Sequence, residues 1–137
     1  MAKQELKLKT AESEKITINL GPIDLGQIDL LVQEGFYSNR TDLIRTAIRN
    51  QLNEHADVVK QTVARKSLVL GMQHYSREDL EAIQAAGQRL QIQVLGLASI
   101  AHDVSVELAL ATIDSIFVLG SLHASAVIKT ALAQRIH

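Results

Sequence analysis

The chain has 137 residues, 47% apolar and 21% charged, with 14 Lys/Arg against 15 Asp/Glu and a formal net charge of −1. That length suits one ordinary domain or two small ones, and the apolar content is too high for a disordered protein. The chain has no cysteine, which excludes disulfide scaffolds, thiol nucleophiles, cysteine-ligated zinc and iron–sulfur clusters.

Residues 1–14, with Lys3, Lys7 and Lys9, read as a flexible polar arm and not as a secretory signal. The run Lys15-Ile16-Thr17-Ile18-Asn19-Leu20 alternates strictly between polar and apolar, which predicts a strand with one face of each kind. Gly21-Pro22 ends it, and Pro22 suits the first turn of a helix. From Ile23 onward Leu25, Ile28, Leu31 and Val32 recur at helical spacing, with Gly35 as the stop. After a short loop, Phe36–Asn39, a second helix starts near Arg40, with Ser38 or Asn39 able to cap it. Its stripe of Ile44, Ile48, Leu52, Val59 and Val63 lasts to about Arg65. One continuous helix there would be about 39 Å long; the alternative is a helical linker over residues 55–66.

In the second half Val69-Leu70-Gly71, Val94-Leu95-Gly96 and Val118-Leu119-Gly120 recur at intervals of 25 and 24 residues. Each follows a short apolar run and precedes a polar loop and a helix-like segment. The spacing predicts helices over Arg77–Leu90, Ser105–Ile113 and Ala124–Ile136, with Ser76 and Ser125 as caps. Residues 67–137 therefore read as a small α/β domain with weak strand–loop–helix repetition, and the whole chain as α+β. The most apolar stretch, Ile92–Leu122, is broken by His102, Asp103, Glu107 and Asp114 and fails as a membrane span.

One six-residue strand cannot make a sheet, and nothing else before residue 67 reads as a strand. It must pair with a copy of itself, giving a swapped two-stranded antiparallel ribbon in a dimer. Ile16, Ile18 and Leu20 then cover four helices, while Lys15, Thr17 and Asn19 from both chains line the outer face. Such a ribbon fits the major groove of B-DNA, where lysine suits guanine, asparagine suits adenine, and threonine offers a hydroxyl or methyl.

Residues 15–52, KITINLGPIDLGQIDLLVQEGFYSNRTDLIRTAIRNQL, resemble a ribbon-helix-helix DNA-binding domain of the CopG type, related in fold to MetJ and Arc. The resemblance rests on the alternating strand, the helix ending at Gly35, and the helix start Tyr37-Ser38-Asn39-Arg40-Thr41-Asp42-Leu43-Ile44-Arg45. It implies that Lys15, Thr17 and Asn19 face the groove. It further implies that backbone N–H groups near Ser38, Asn39 and Arg40 clamp a phosphate, with Arg40 adding charge. Lys15 stands where many members carry arginine. Arg45 and Arg49 read as a solvent-facing stripe or as partners of Asp42.

Nickel-responsive members of that family add a C-terminal α/β domain with histidine and cysteine ligands. Here cysteine is absent and His55, His74, His102, His123 and His137 include no close pair, so no metal and no cofactor are expected. No nucleophile elbow, phosphate loop or metalloprotease motif is present, and no enzymatic activity is expected. The expectation is a transcriptional repressor that binds double-stranded DNA as a homodimer, cytoplasmic and nucleoid-associated, without membrane contact. Residues 15–54 form its DNA-binding domain, and residues 67–137 an oligomerisation or effector domain that could extend it to a tetramer or larger assembly. The alternatives are a DNA-organising or partition protein that polymerises on DNA, or the antitoxin of a toxin–antitoxin pair.

Overall fold

The computed structural model describes residues 13–137, so all but the last two residues of the expected arm lie outside the described residues. The chain divides into two compact units between Val59 and Lys60. The elements are α1 (Pro22–Gln33), α2 (Arg40–Glu54), α3 (Ala56–Arg65), β1 (Val69–Tyr75), α4 (Arg77–Ala85), β2 (Leu90–Ile100), α5 (Val106–Thr112), β3 (Ile113–His123) and α6 (Ala126–Ala131), with a 3₁₀ turn at Ala133–Arg135. The fold is thus mixed helix and parallel sheet. Among the described residues no helix is long and apolar enough to cross a membrane.

In the first unit Pro22 opens α1, where its missing N–H costs no hydrogen bond. Gly35 closes it at φ +85°, with Gly35 N–H donating to Val32 and Phe36 N–H to Leu31. These two bonds satisfy carbonyls that the helix end leaves open, and the left-handed backbone they need favours glycine. Leu25, Ile28 and Val32 of α1 and Leu43 and Ile44 of α2 are half-buried. No residue among the described positions 13–59 is fully buried. His55 separates α2 from α3, so the apolar stripe does not lie on one unbroken helix.

The second unit is a three-stranded sheet in the order β1-β2-β3, parallel throughout. Its core lies on one face. Ile92, Val94, Ala98 and Ile100 of β2 cluster with Leu80 of α4, Leu108 and Ala109 of α5, Ile128 of α6, Leu132, and Ile113 and Ile116 of β3. Strand residues alternate between faces, so this one parity of β2 points to all three helices. Connections of a single hand between neighbouring parallel strands put their helices on the same side.

The Val-Leu-Gly tripeptides lie side by side, with Val69, Val94 and Val118 in one row and Gly71, Gly96 and Gly120 in another. All three glycines have positive φ, between +122° and +137°. A Cβ on Gly96 would overlap the Gly71 carbonyl oxygen, and one on Gly120 would overlap that of Gly96; at Gly71 there is open space. The glycine in each tripeptide is therefore set by backbone shape, and at the two inner positions also by the neighbouring strand.

The helix ends differ from the sequence expectation at three places. The helix expected over Arg77–Leu90 stops at Ala85, because Gly87 turns left-handed at φ +65°. Gly87 and Gln88 then donate to the carbonyls of Gln84 and Ile83; Leu90 already belongs to β2. The helix expected over Ser105–Ile113 is Val106–Thr112, with Ser105 as the cap accepting from Leu108 N–H at 3.1 Å and Ile113 opening β3 without a loop. The α5 carbonyls left over at that junction are met by arginines. Arg135 Nη1 donates to Leu110 and Ile113 at 2.7 Å, and Arg89 reaches Leu110 and Ala111 at 3.4 Å and pairs with Asp114 at 3.3 Å. The last expected helix, Ala124–Ile136, is only Ala126–Ala131 plus the 3₁₀ turn. Ile136 leaves it to bridge Ile116 on the outer edge of β3, and His137 N–H donates to the Ile116 carbonyl at 2.8 Å.

Ser76 and Asp79 form a reciprocal cap at α4. Asp79 N–H donates to Ser76 Oγ at 3.1 Å, and Ser76 N–H donates to Asp79 Oδ2 at 3.0 Å. The bond from the Ser76 N–H first, then the Ser76 side chain, with a smaller contribution from His74, hold the Asp79 carboxyl below its ordinary range.

Gly96→Ala should destabilise the second unit by roughly 3 kcal/mol or more, since it adds an overlap to the backbone strain. Gly71→Ala, with strain alone, should cost roughly 1–3 kcal/mol; chemical denaturation of the two variants checks the order. A carboxyl with a depressed folded pKa stabilises fully above the unfolded value of about 3.9, and loses that contribution as pH falls through the lower folded value. The stability gap between wild type and Asp79→Ala should therefore be full at pH 6 and shrink below pH 4 in denaturation curves.

Candidate nucleic-acid interface

The residues expected to meet DNA lie on two elements separated by α1. Lys15, Thr17 and Asn19 are exposed in the segment before α1, and so are their apolar neighbours, Ile16 at 78% and Ile18 at 60%. Within this single chain Lys15–Leu20 belongs to no strand ladder. Ser38, Asn39 and Arg40 come together at the start of α2.

That start is built by a reciprocal arrangement. Asn39 is the N-cap, and its Oδ1 accepts from Asp42 N–H at 2.8 Å. The Asp42 carboxylate in turn accepts from Ser38 N–H at 3.0 Å. Of the two capping candidates, Asn39 supplies the side-chain cap and Ser38 uses its backbone. Asp42 is committed to this turn, while Arg45 and Arg49 are exposed. Helix geometry leaves the N–H groups of the first turn without intrahelical acceptors, and the helix dipole makes that end favourable for an anion.

Arg40 is held from α1. Its Nε donates to Asp29 Oδ1 at 2.7 Å and its Nη2 to Asp29 Oδ2 at 2.8 Å, a fork-to-fork pair tying the two helices together. The hydrogen bond from Arg40 keeps the Asp29 carboxyl below its ordinary range, and the same bond raises the Arg40 pKa. Both side chains stay about half exposed, so solvent screens the pair. Three of the five guanidinium N–H groups remain after the fork is made. Sequence reasoning missed Asp29, eleven positions before Arg40 on another helix, because no local pattern signals such a pairing.

The described chain thus runs from an exposed alternating segment through a helix closed by a left-handed glycine and a second capped helix into an α/β layer. The model of the Ribbon-Helix-Helix transcriptional regulator family matches residues 11–129, and the chain belongs to that family. It is also similar to the Transcriptional regulator CdrS of Halobacterium salinarum, 30% identical over 44 residues that make up 32% of this chain and 80% of that protein. No solved structure matches the chain. Family membership makes this a DNA-binding regulator of transcription.

Asp29→Asn should loosen α1 from α2 and release Arg40. The expected outcome is a lower melting temperature together with tighter non-specific DNA binding at low salt, read by calorimetry and by fluorescence anisotropy.

Proposed function

We propose that the protein is a sequence-specific repressor that occupies its operator as a homodimer. Lys15–Leu20 of the two copies pairs into an antiparallel ribbon. Its outer face carries Lys15, Thr17 and Asn19 into the major groove, and its inner face sets Ile16, Ile18 and Leu20 over the four helices of the paired units. The observation that carries this reading is the missing core. Fixing the backbone costs about 1–2 kcal/mol per residue, and no described residue from 13 to 59 is buried to offset it. A second copy supplies the missing surface, and the alternation of Lys15–Leu20 shows which side chains it would cover.

Asn39 and Arg40 then position the dimer on the phosphate backbone through N–H groups at the start of α2 and the guanidinium N–H groups that the Asp29 fork leaves over, while Ser38, whose N–H is given to Asp42, holds the turn in shape. Residues 67–137 join DNA-bound dimers, and linked weak sites on one DNA gain avidity through effective concentration. Similarity to a transcriptional regulator supports regulation as the role.

Asn19→Ala should lose roughly 1–3 kcal/mol at one base position and relax preference there, whereas Arg40→Ala should weaken all sequences alike and lower the salt slope by about 1. Binding to a randomised DNA library, with salt titrations of the selected site, measures both. Unchanged base preference in Asn19→Ala would overturn the groove assignment. Protection that lengthens cooperatively along DNA would overturn operator occupancy in favour of DNA organisation.

A further inference from the structure

The sheet of the second unit has one face covered by α4, α5 and α6 and one left open except where buried Leu68 lies beside Gln93 and Phe117. These three helices lie on the side of Val94 and Ala98, and the opposite parity of each strand points away from them. All-parallel sheets are otherwise found almost only with both faces covered. The open face presents a row of Leu70, Leu95 and Leu119 beside Met72 and Leu97, in register across the sheet. Leu70 is 67% exposed, Met72 63% and Leu119 47%. None of the strand positions on this face is Asp, Glu, Lys or Arg. The charged residues of the second half lie instead on helices, in turns, or at Asp114, where the register shifts between Leu90 and Gln91. Lys66 borders the face, its ammonium 5.9 Å from the centre of the Phe117 ring.

We propose that this face docks against the same face of a second copy of the chain. With no Asp, Glu, Lys or Arg among its strand positions and Lys66 only at its border over Phe117, the face meets itself with less like-charge repulsion than the helical side, which carries Arg77, Glu81, Asp103 and Glu107. Area decides which partner can occupy it. Three strands at about 4.8 Å spacing and about 30 Å of length give about 400 Å² per copy, or about 800 Å² in total. Specific free-standing complexes need about 1,200–2,000 Å². By itself the face is too small for a stable complex with a dilute partner, and it suits a partner already tethered nearby at millimolar effective concentration. A second copy joined through the N-terminal ribbon is such a partner; this face then closes the dimer, and joining of dimers falls to another surface of residues 67–137, so the inference rests on the ribbon pairing proposed above.

The absence of cysteine makes the test direct. Leu95→Cys places one thiol at the centre of the open face of the full-length chain, and Gln84→Cys places one on exposed α4 as the control. With a short bis-maleimide at about 1 µM protein, Leu95→Cys should form covalent dimers at least about tenfold faster than Gln84→Cys. Adding Leu70→Glu and Leu119→Glu should abolish that excess while the native mass still shows paired chains. Met72→Cys, at an exposed position, serves in place of Leu95→Cys if the latter does not fold. Equal cross-linking of face and control, or cross-linking that survives the two glutamates, overturns the face pairing. A native mass of one 15.0 kDa chain overturns the ribbon pairing and this inference with it. A dimeric or larger mass without face cross-linking overturns the face pairing alone.

Discussion

Across the sheet of the second unit, the carbonyl oxygen of one glycine lies where the next glycine would carry a side chain. Gly71 approaches Gly96 in this way, and Gly96 approaches Gly120. The contact fixes which residues of the three strands are neighbours, and the register then decides everything on either side of it. One parity of each strand receives α4, α5 and α6 and becomes the core, with Leu80, Ile92, Val94 and Ile116 sealed between sheet and helices. The other parity lines up leucines in a row on the opposite face. A shift of one residue in any strand would exchange these roles.

The two units stand in different energetic positions. The second has a core of its own, helix caps at Ser76, Ser105 and Ser125, and arginines that satisfy the carbonyls where α5 runs into β3. The first has well-formed helix ends and the Arg40–Asp29 clamp, but no buried side chain among its described residues. Caps and a screened ion pair shape a helix pair, whereas burial of apolar area is the dominant favourable term in folding. A unit built in this way is suited to acquiring its stability at the moment of association, which fits a family whose members regulate transcription on DNA.

Local patterns told most where the physics is local. Pro22 and Gly35 bracketed α1, and Ser76 and Ser125 were legible as caps because each precedes a helical stretch with a free N–H to satisfy. The ribbon-helix-helix resemblance over residues 15–52 pointed to the family that the chain belongs to. The helix ends in the second half were less legible. Leu90 beyond Ala85 and Ile113 beyond Thr112 open strands, and hydrophobicity alone does not separate a buried strand from a buried helix. The bridge of Ile136 to Ile116, the reach of Arg135 to α5 and the fork between Asp29 and Arg40 all join residues distant in sequence. No pattern along the chain encodes them.

The junction of α5 and β3 has no connecting residues at all, since Thr112 ends the helix and Ile113 begins the strand. Most helix–strand joins absorb an added or lost residue in a loop; here there is no loop, and the bulge at Asp114 already takes up one residue. One extra residue between these two elements would rotate β3 by half a turn about its own axis. Ile116 and Val118 would then point to solvent, and Phe117 and Leu119 would be driven into the space beside Leu132. Over evolutionary time this seam should tolerate substitution while resisting any change in length, and length variation among related chains should gather at the turns near Gly87 and His102 instead.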